Sequence, residues 1–295
     1  MLDKVNGIRE LDFSNVGTLV FAGGGNRCWW QAGALRYLLE QGMRLPAQLV
    51  GTSAGAAVAA SFLTESADTA LQACLRLYAS NPKIFDWSAL PTLKLKFAHQ
   101  HVYPAWVDAF LNAGTFATLR HSASRLTVAL TRPARFLGMG GSVAAGTLAY
   151  LVDKYLWNSI HPRLPRLLGL RQDFMVLNDC VDIEAAQSLL IAAASAPPIM
   201  LARPIGGRHA IDGGYTDNAP IPPQSEMEQS NTLVMLTRHY PKLPLQFTWM
   251  GRMYWQPSQR IPVSTWDCTP KTTVREAYDL GMRDSARTLS ACSFR

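Results

Sequence analysis

No two cysteines of the chain stand at a metal-site or redox spacing. Cys28, Cys74, Cys180, Cys268 and Cys292 are scattered singly, with no C-x-x-C and no Cys/His ligand pattern. An odd, dispersed set fits free thiols in a reducing compartment and argues against a disulfide framework or a zinc fold. Charge is scarce too: 17% of residues are charged, below the roughly one quarter of average globular proteins. The opening stretch "MLDKVNGIRELDFSNVG" carries charges throughout and lacks the apolar centre of a Sec signal peptide. A bilayer crossing needs about 20 predominantly apolar residues. The uncharged stretch Phe136–Val152 has 17, four of them glycine, which suits a lid, an interfacial helix or a buried element better than a span. There is no internal repeat, low-complexity tract or clean linker. One domain over residues 1–295 is expected, with 80–166 as a helical, apolar insertion or lid-like segment.

The charge that is present is unbalanced. Net charge is +7 and the isoelectric point about 9.3, which favours nucleic acid, anionic lipid surfaces or acidic substrates. No Lys/Arg run resembles a nucleic-acid arm, so nucleic acid is not the expected partner. A cytoplasmic or peripheral-membrane location is expected, and the sequence leaves the oligomeric state open.

Hydrophobic patterning gives an α/β chain. "TLVFA" (18–22) reads as a buried strand, "QAGALRYLLEQGM" as a helix, and "AQLVGTSAG" as a second strand entering a tight turn. The Ala-rich "AAVAASFLTES" then reads as a helix. Strand, helix, strand, helix within about 50 residues points to parallel strands. Further on, "RLTVALTR" (125–132) and "NTLVMLTR" look like strands. Asp182 caps an Ala/Leu helix that ends before Pro197, and "KTTVREAYDLGMRDSARTL" is a closing amphipathic helix.

Two motifs carry chemistry. "GTSAG" (51–55) fits G-x-S-x-G between a strand and a helix, the context of a nucleophile elbow, with Ser53 on the turn. Gly51 and Gly55 are expected where neighbouring backbone comes too close for a Cβ. An activated serine needs a base and an oxyanion hole. Asp212 followed by His239 satisfies the Ser–Asp–His order of α/β-hydrolases. Asp212 in "AIDGGYTDNAP" could instead act directly, given burial that raises its pKa. The loop "AGGGNR" admits a nucleotide-binding reading, but it lacks the last glycine of G-x-G-x-x-G, and the acid about 20 residues on would be Glu40 within a helix.

Taken together, "GGGNRC" (23–28), "GTSAG" (51–55) and "DGG" (212–214) stand in the order found in patatin-like phospholipases, which the chain resembles. "AAASAPPIM" and "DNAP" add matches at Ser195, Pro197, Asn218 and Pro220. The resemblance spans most of residues 18–237. It implies a three-layer α/β/α sandwich around a mostly parallel sheet. The implied chemistry is acyl-ester hydrolysis by a Ser53–Asp212 dyad with no catalytic His, on phospholipids or related lipids; the basic net charge, in turn, suits peripheral contact with an anionic membrane surface. Gly23, Gly24, Gly25, Asn26 and Arg27 would form the oxyanion loop, with Gly24, Gly25 and Asn26 at its centre. Gly51, Gly55, Gly213 and Gly214 would support the two turns. Neither metal nor cofactor is implied. Cys28 departs from the family's glycine, which raises the alternative of an impaired, lipid-binding scaffold. Arg27 would serve either as a charge beside the substrate or as a brace for loop carbonyls. Trp29 and Trp30 read as helix core or as an apolar wall.

Overall fold

The computed structural model describes residues 13–86, 96–157 and 159–293. The charged start of the chain up to residue 12, and residues 87–95 of the segment 80–166, lie outside the described residues.

Among the described residues, one sheet of nine strands forms the centre. Its middle is parallel: β3 (Arg125–Arg132), β2 (Gln48–Thr52), β1 (Thr18–Phe21), β7 (Thr232–Met235) and β9 (Arg252–Trp255) lie side by side in that order. Antiparallel strands finish the flanks. β4 (Arg171–Val176) and β6 (Arg208–Asp212) both pair with β3, β5 (Arg203–Ile205) pairs with β6, and β8 (Gln246–Trp249) pairs with β9. The strands read from the sequence are present. β4, β5, β6, β8 and β9 are additional, β5 and β6 forming a hairpin that ends at Asp212.

The central strands are buried on both faces, which explains their unbroken apolar runs. Leu19 and Phe21 point into a core with α1 (Cys28–Glu40), α2 (Ala54–Leu63), α3 (Ala67–Ala79) and the later helices α4 (His99–Phe110) and α8 (Ile183–Ala193). Val20, Val50 and Val234 point to the opposite face, against Ile160, Ala219 and Tyr254. α5 (Ala113–His121) leads into β3, and Asn112 caps it through a reciprocal bond pair with Thr115. On α8 the Asp182 side chain accepts from the Ala185 N–H at 2.8 Å, as its position implied.

Segment 80–166 divides between core and cover. It supplies α4, α5 and β3, which belong to the packed layers, and then α6 (Gly138–Val152), which crosses over the Gly213–Tyr215 turn. Short α7 (Leu164–Leu167) follows, and α9 (Glu226–Ser230) precedes β7. No helix of the described residues is long and apolar enough to cross a membrane.

The closing helix α10 (Val274–Ser293) lies directly on α1. Two glycines allow it. A Cβ on Gly281 would overlap the Trp30 carbonyl and lie 2.7 Å from the Ala34 nitrogen, and one on Gly33 would overlap the Tyr278 carbonyl. The contact is then pinned by Trp30 Nε1 donating to Asp284 at 2.8 Å and Ser285 Oγ donating to the Ala34 carbonyl at 3.0 Å. Gly281→Ala is expected to lower Tm by several degrees in thermal unfolding, since overpacking typically costs about 1–3 kcal/mol. Gly140→Ala, on an open face of α6, is expected to leave Tm level or raise it. Equal Tm values for the two variants would contradict this crossing.

Candidate active site

Ser53 and Asp212 are 159 residues apart in sequence and share a hydrogen bond of 2.6 Å, Ser53 Oγ donating to Asp212 Oδ2. Strand register explains the meeting. β2 runs parallel to β3 and ends at Thr52, opposite Ala129. β6 runs antiparallel to β3 and ends at Asp212, opposite Leu130. The two strands occupy one lane beside β3 and meet end to end, so the residues at their tips become neighbours.

The turn after β2 is tight. Ser53 has φ 53° and ψ −135°, a conformation that costs an L residue on the order of 1–3 kcal/mol. The glycines beside it allow helix and sheet to close: a Cβ on Gly55 would lie 2.6 Å from the Ala22 carbonyl oxygen, and one on Gly51 would lie 2.9 Å from the Ala56 nitrogen. Every residue of α2 is buried. The helix N-terminus therefore stands behind Ser53 in a dry setting, where its dipole favours negative charge.

Asp212 is held on three sides. Its N–H donates to the Ser195 carbonyl at 2.8 Å, and its Oδ1 accepts the Gly214 N–H at 2.7 Å. Gly213 packs 2.6 Å, by its missing Cβ, from the Ala129 carbonyl oxygen. Burial pushes the Asp212 carboxyl up to about 6, partly offset by the bonds from Ser53 and Gly214. Such a carboxylate is a stronger base than a solvated one and is still ionised at neutral pH.

The glycine loop separates into committed and uncommitted donors. The N–H groups of Gly23, Asn26 and Arg27 donate to the carbonyls of Asn218, Thr265 and Gly24. Five residues were expected to form the oxyanion loop. These three have their N–H groups engaged within the protein, which leaves Gly24 and Gly25 with no recorded acceptor among the described residues. Both of these line the cavity that holds Ser53 and Asp212. Their direction follows from peptide geometry, because C=O and N–H of one trans peptide point opposite ways. The Gly23 carbonyl accepts from Asn218 Nδ2 at 2.7 Å and from Thr237 Oγ1, which turns the Gly24 N–H away from them. The Gly24 carbonyl accepts from the Arg27 N–H at 3.2 Å and Arg27 Nε at 3.3 Å, which does the same for the Gly25 N–H. Gly25 itself has φ +55°, and a side chain there would overlap the Thr265 carbonyl.

Other sequence candidates fall into place around this loop. Arg27 braces a carbonyl. The Asn26 side chain donates to the carbonyls of Ser264 at 3.0 Å and Asp267 at 2.7 Å, and accepts from Tyr78 at 2.9 Å. Cys28 sits in ordinary helical backbone, φ −66° and ψ −15°, so its conformation does not call for a glycine. Its thiol is buried 3.5 Å from the Ala22 carbonyl, and burial raises its pKa far above the usual thiol range, which removes it as a rival nucleophile. Trp29 and Trp30 are both core residues. His239 lines the cavity, but its Nδ1 lies 2.9 Å from the Pro257 carbonyl, and Ser53 bonds the carboxylate with no imidazole between. Thr237 carried no sequence signal, since it lies just past a strand in a stretch without motif.

The cavity measures about 1160 Å³, ample for a lipid-sized ligand. Its wall between Ile261 and Trp266 is largely apolar. Among the described residues there is no cluster of His, Cys, Asp and Glu that could hold a metal ion.

A family model described as "Patatin-like phospholipase" matches residues 19–223. No curated protein matches the chain.

The raised Asp212 value has a consequence for stability. The folded state holds this proton more tightly than the unfolded chain, whose carboxyl titrates near 3.8. Stability is therefore lost as pH rises from about 4 to about 6, and the loss is complete above that window. Asp212→Asn keeps the shape and removes the buried charge. It is expected to have a higher Tm than the unaltered protein near pH 8, with the gain vanishing near pH 4. A gain that persists unchanged at the acid end would contradict the assignment.

Proposed function

The chain belongs to the patatin-like phospholipase family, and from that premise we propose that it cleaves acyl esters of lipids through an acyl-Ser53 intermediate. The family consists of lipid acyl hydrolases, so the protein is an enzyme acting on lipid esters. The observation that carries the finer reading is the 2.6 Å bond from Ser53 Oγ to a buried Asp212 carboxylate.

In this reading Asp212 takes the Ser53 proton as Oγ attacks the acyl carbonyl carbon. The carbonyl oxygen becomes an oxyanion, which accepts from the Gly24 and Gly25 N–H groups. Collapse of the intermediate breaks the ester C–O bond, and Asp212 returns the proton to the leaving alcohol. Water then attacks acyl-Ser53 with Asp212 as base, releasing the fatty acid and restoring Ser53. The burial that raises the Asp212 pKa suits it to both proton transfers.

A lipid substrate has to be reached. α6 carries no charged residue and is mostly apolar, yet only a narrow stripe of it, Ser142, Gly146 and Ala149, is buried. Phe136, Leu156 and Leu167 stand 77%, 73% and 81% exposed, and Leu148, Leu151 and Trp157 are exposed too. Such an apolar surface marks an interaction face. Two facts favour an anionic lipid surface as its occupant. α6 also lines the cavity through Thr147 and Tyr150, and residues 135–171 carry Arg135, Lys154, Arg163, Arg166 and Arg171 against the single acid Asp153. We propose peripheral docking of this face on anionic membrane, with the cavity mouth against the bilayer.

Ser53→Ala and Asp212→Asn are each expected to lower ester hydrolysis by about three orders of magnitude or more, whereas His239→Ala retains it. A fluorophosphonate should label Ser53, with a rate that falls as pH drops through about 6 and half the sites protonate. Loss of activity in His239→Ala with Asp212→Asn active would overturn the dyad. For docking, the double variant Leu148→Asp, Leu156→Asp is expected to lose sedimentation with phosphatidylglycerol vesicles while still cleaving a monomeric short-chain ester. Undiminished sedimentation would refute the docking face.

A further inference from the structure

A histidine that the dyad does not use stands behind the glycine loop. His161 follows α6, and its neighbour Ile160 packs into the core on the second face of the sheet, with Val20, Val50 and Ala219. Its Nδ1 lies 2.8 Å from Asp217 Oδ2, and its Nε2 lies 2.8 Å from the Tyr254 hydroxyl. The ring is stacked on Trp249, with centroids 5.5 Å apart and planes 17° from parallel. A carboxylate only accepts hydrogen bonds. Burial pushes the Tyr254 phenol far above its usual range, so its hydroxyl keeps its proton and can donate. The neutral imidazole therefore donates from Nδ1 to Asp217 and accepts at Nε2 from Tyr254. Bonded at both nitrogens and stacked on an indole, it has one orientation.

What the buried Asp217 holds is the residue after it. Its Oδ1 accepts the Ala219 N–H at 3.0 Å, and its own N–H donates to the Gly213 carbonyl at 3.2 Å. Asn218 is thus clamped between two fixed neighbours. Asn218 in turn grips Gly23 from both sides. Its carbonyl accepts the Gly23 N–H at 2.8 Å, and its Nδ2 donates to the Gly23 carbonyl at 2.7 Å. The Gly23 carbonyl shares its peptide with the Gly24 N–H, so whatever fixes the one aims the other. Hydrogen bonds therefore run without a break from the imidazole to the peptide that carries this donor.

Burying a carboxylate, an imidazole and a phenol together costs desolvation that an apolar side chain against Trp249 would avoid. What the polar set adds is direction, because a hydrogen bond fixes angle as well as distance. Resting on the hydrolase reading above, we propose that His161 is a positioning residue for ester hydrolysis. By orienting Asp217 it fixes Asn218, and through the Gly23 peptide it aims the Gly24 N–H at the oxyanion. It takes no part in proton transfer, since Ser53 bonds Asp212 directly and both imidazole nitrogens are engaged elsewhere.

Kinetics of full-chain variants on a monomeric short-chain ester test this. His161→Phe keeps a ring against Trp249 and loses the bond to Asp217. Its kcat is expected to fall about tenfold or more at nearly unchanged KM, since small misplacements at a reacting centre are costly. Asparagine can place an amide nitrogen where Nδ1 stands, whereas glutamine reaches toward the Nε2 position. His161→Asn should therefore recover most of kcat and His161→Gln should not, a comparison that decides the matter even if His161→Phe fails to fold. Asp217→Asn added to His161→Phe should cost little beyond either change alone. Exchange of the Gly23 amide proton, followed by NMR, should quicken in His161→Phe as the grip of Asn218 loosens. Unchanged kcat in His161→Phe, equal kcat in the Asn and Gln variants, or additive losses in the double variant overturn the proposal. If the unaltered protein cleaves no ester while Gly23 exchange still quickens in His161→Phe, the brace stands and the hydrolase reading falls. Hydrolysis with both kcat and Gly23 exchange unmoved by His161→Phe does the reverse.

Discussion

The site depends on one strand serving as a rail for two others. β3 carries β2 to its end at Thr52 and receives β6 from the opposite direction, ending at Asp212. Neither turn alone brings a serine to a carboxylate. The shared lane does, because Ala129 and Leu130 are adjacent on the rail and their partners are the last strand residues before each turn. The rest of the arrangement serves that junction. Thr131 Oγ1 donates to the Gly213 carbonyl at 3.1 Å and ties the Asp turn to the same strand. The strained Ser53 backbone survives because a fully buried helix and close-packed glycines fix it from both sides.

The glycine loop follows the same logic one step further out. Its free N–H groups are aimed by what grips the carbonyls across each peptide, and those grips come from two distant segments, Asn218 after the Asp turn and Thr237 after β7, and from Arg27 within the loop itself. A carbonyl already accepting hydrogen bonds polarises its own peptide and makes the N–H across it a better donor. Ser195 and Asn218, which the sequence marks only as matches to a pattern, hold the Asp212 backbone and the Gly23 peptide.

Much of this was legible beforehand, for a physical reason. Parallel central strands are buried on both faces and announce themselves as apolar runs, and a turn that forbids Cβ atoms announces itself by glycine at fixed spacing. Ser53, Asp212 and the glycine loop were all marked this way. The edge strands were not. β4 has no fully buried residue, and β5 and β6 form a hairpin around Gly206–Gly207, whose positive φ values read only as turn. Residue-by-residue commitment of N–H groups was also invisible, since it depends on the Thr265 and Asn218 carbonyls reaching the Asn26 and Gly23 N–H groups from far along the chain. Cys28 looked like a defect only because glycine is usual there, and its helical φ removes the objection.

The place of β7 carries a lesson about where this protein can be cut. Residues 19–223 hold every recognisable motif, yet the strand hydrogen-bonded to one side of β1 is Thr232–Met235. A chain ended at 223 would leave Thr18–Phe21 as a bare sheet edge. Leu19, Val20 and Phe21, wholly buried in the intact protein, would stand beside unpaired N–H and C=O groups. An apolar edge of that kind recruits other strands, so the expected fate of such a fragment is aggregation before any question of catalysis arises.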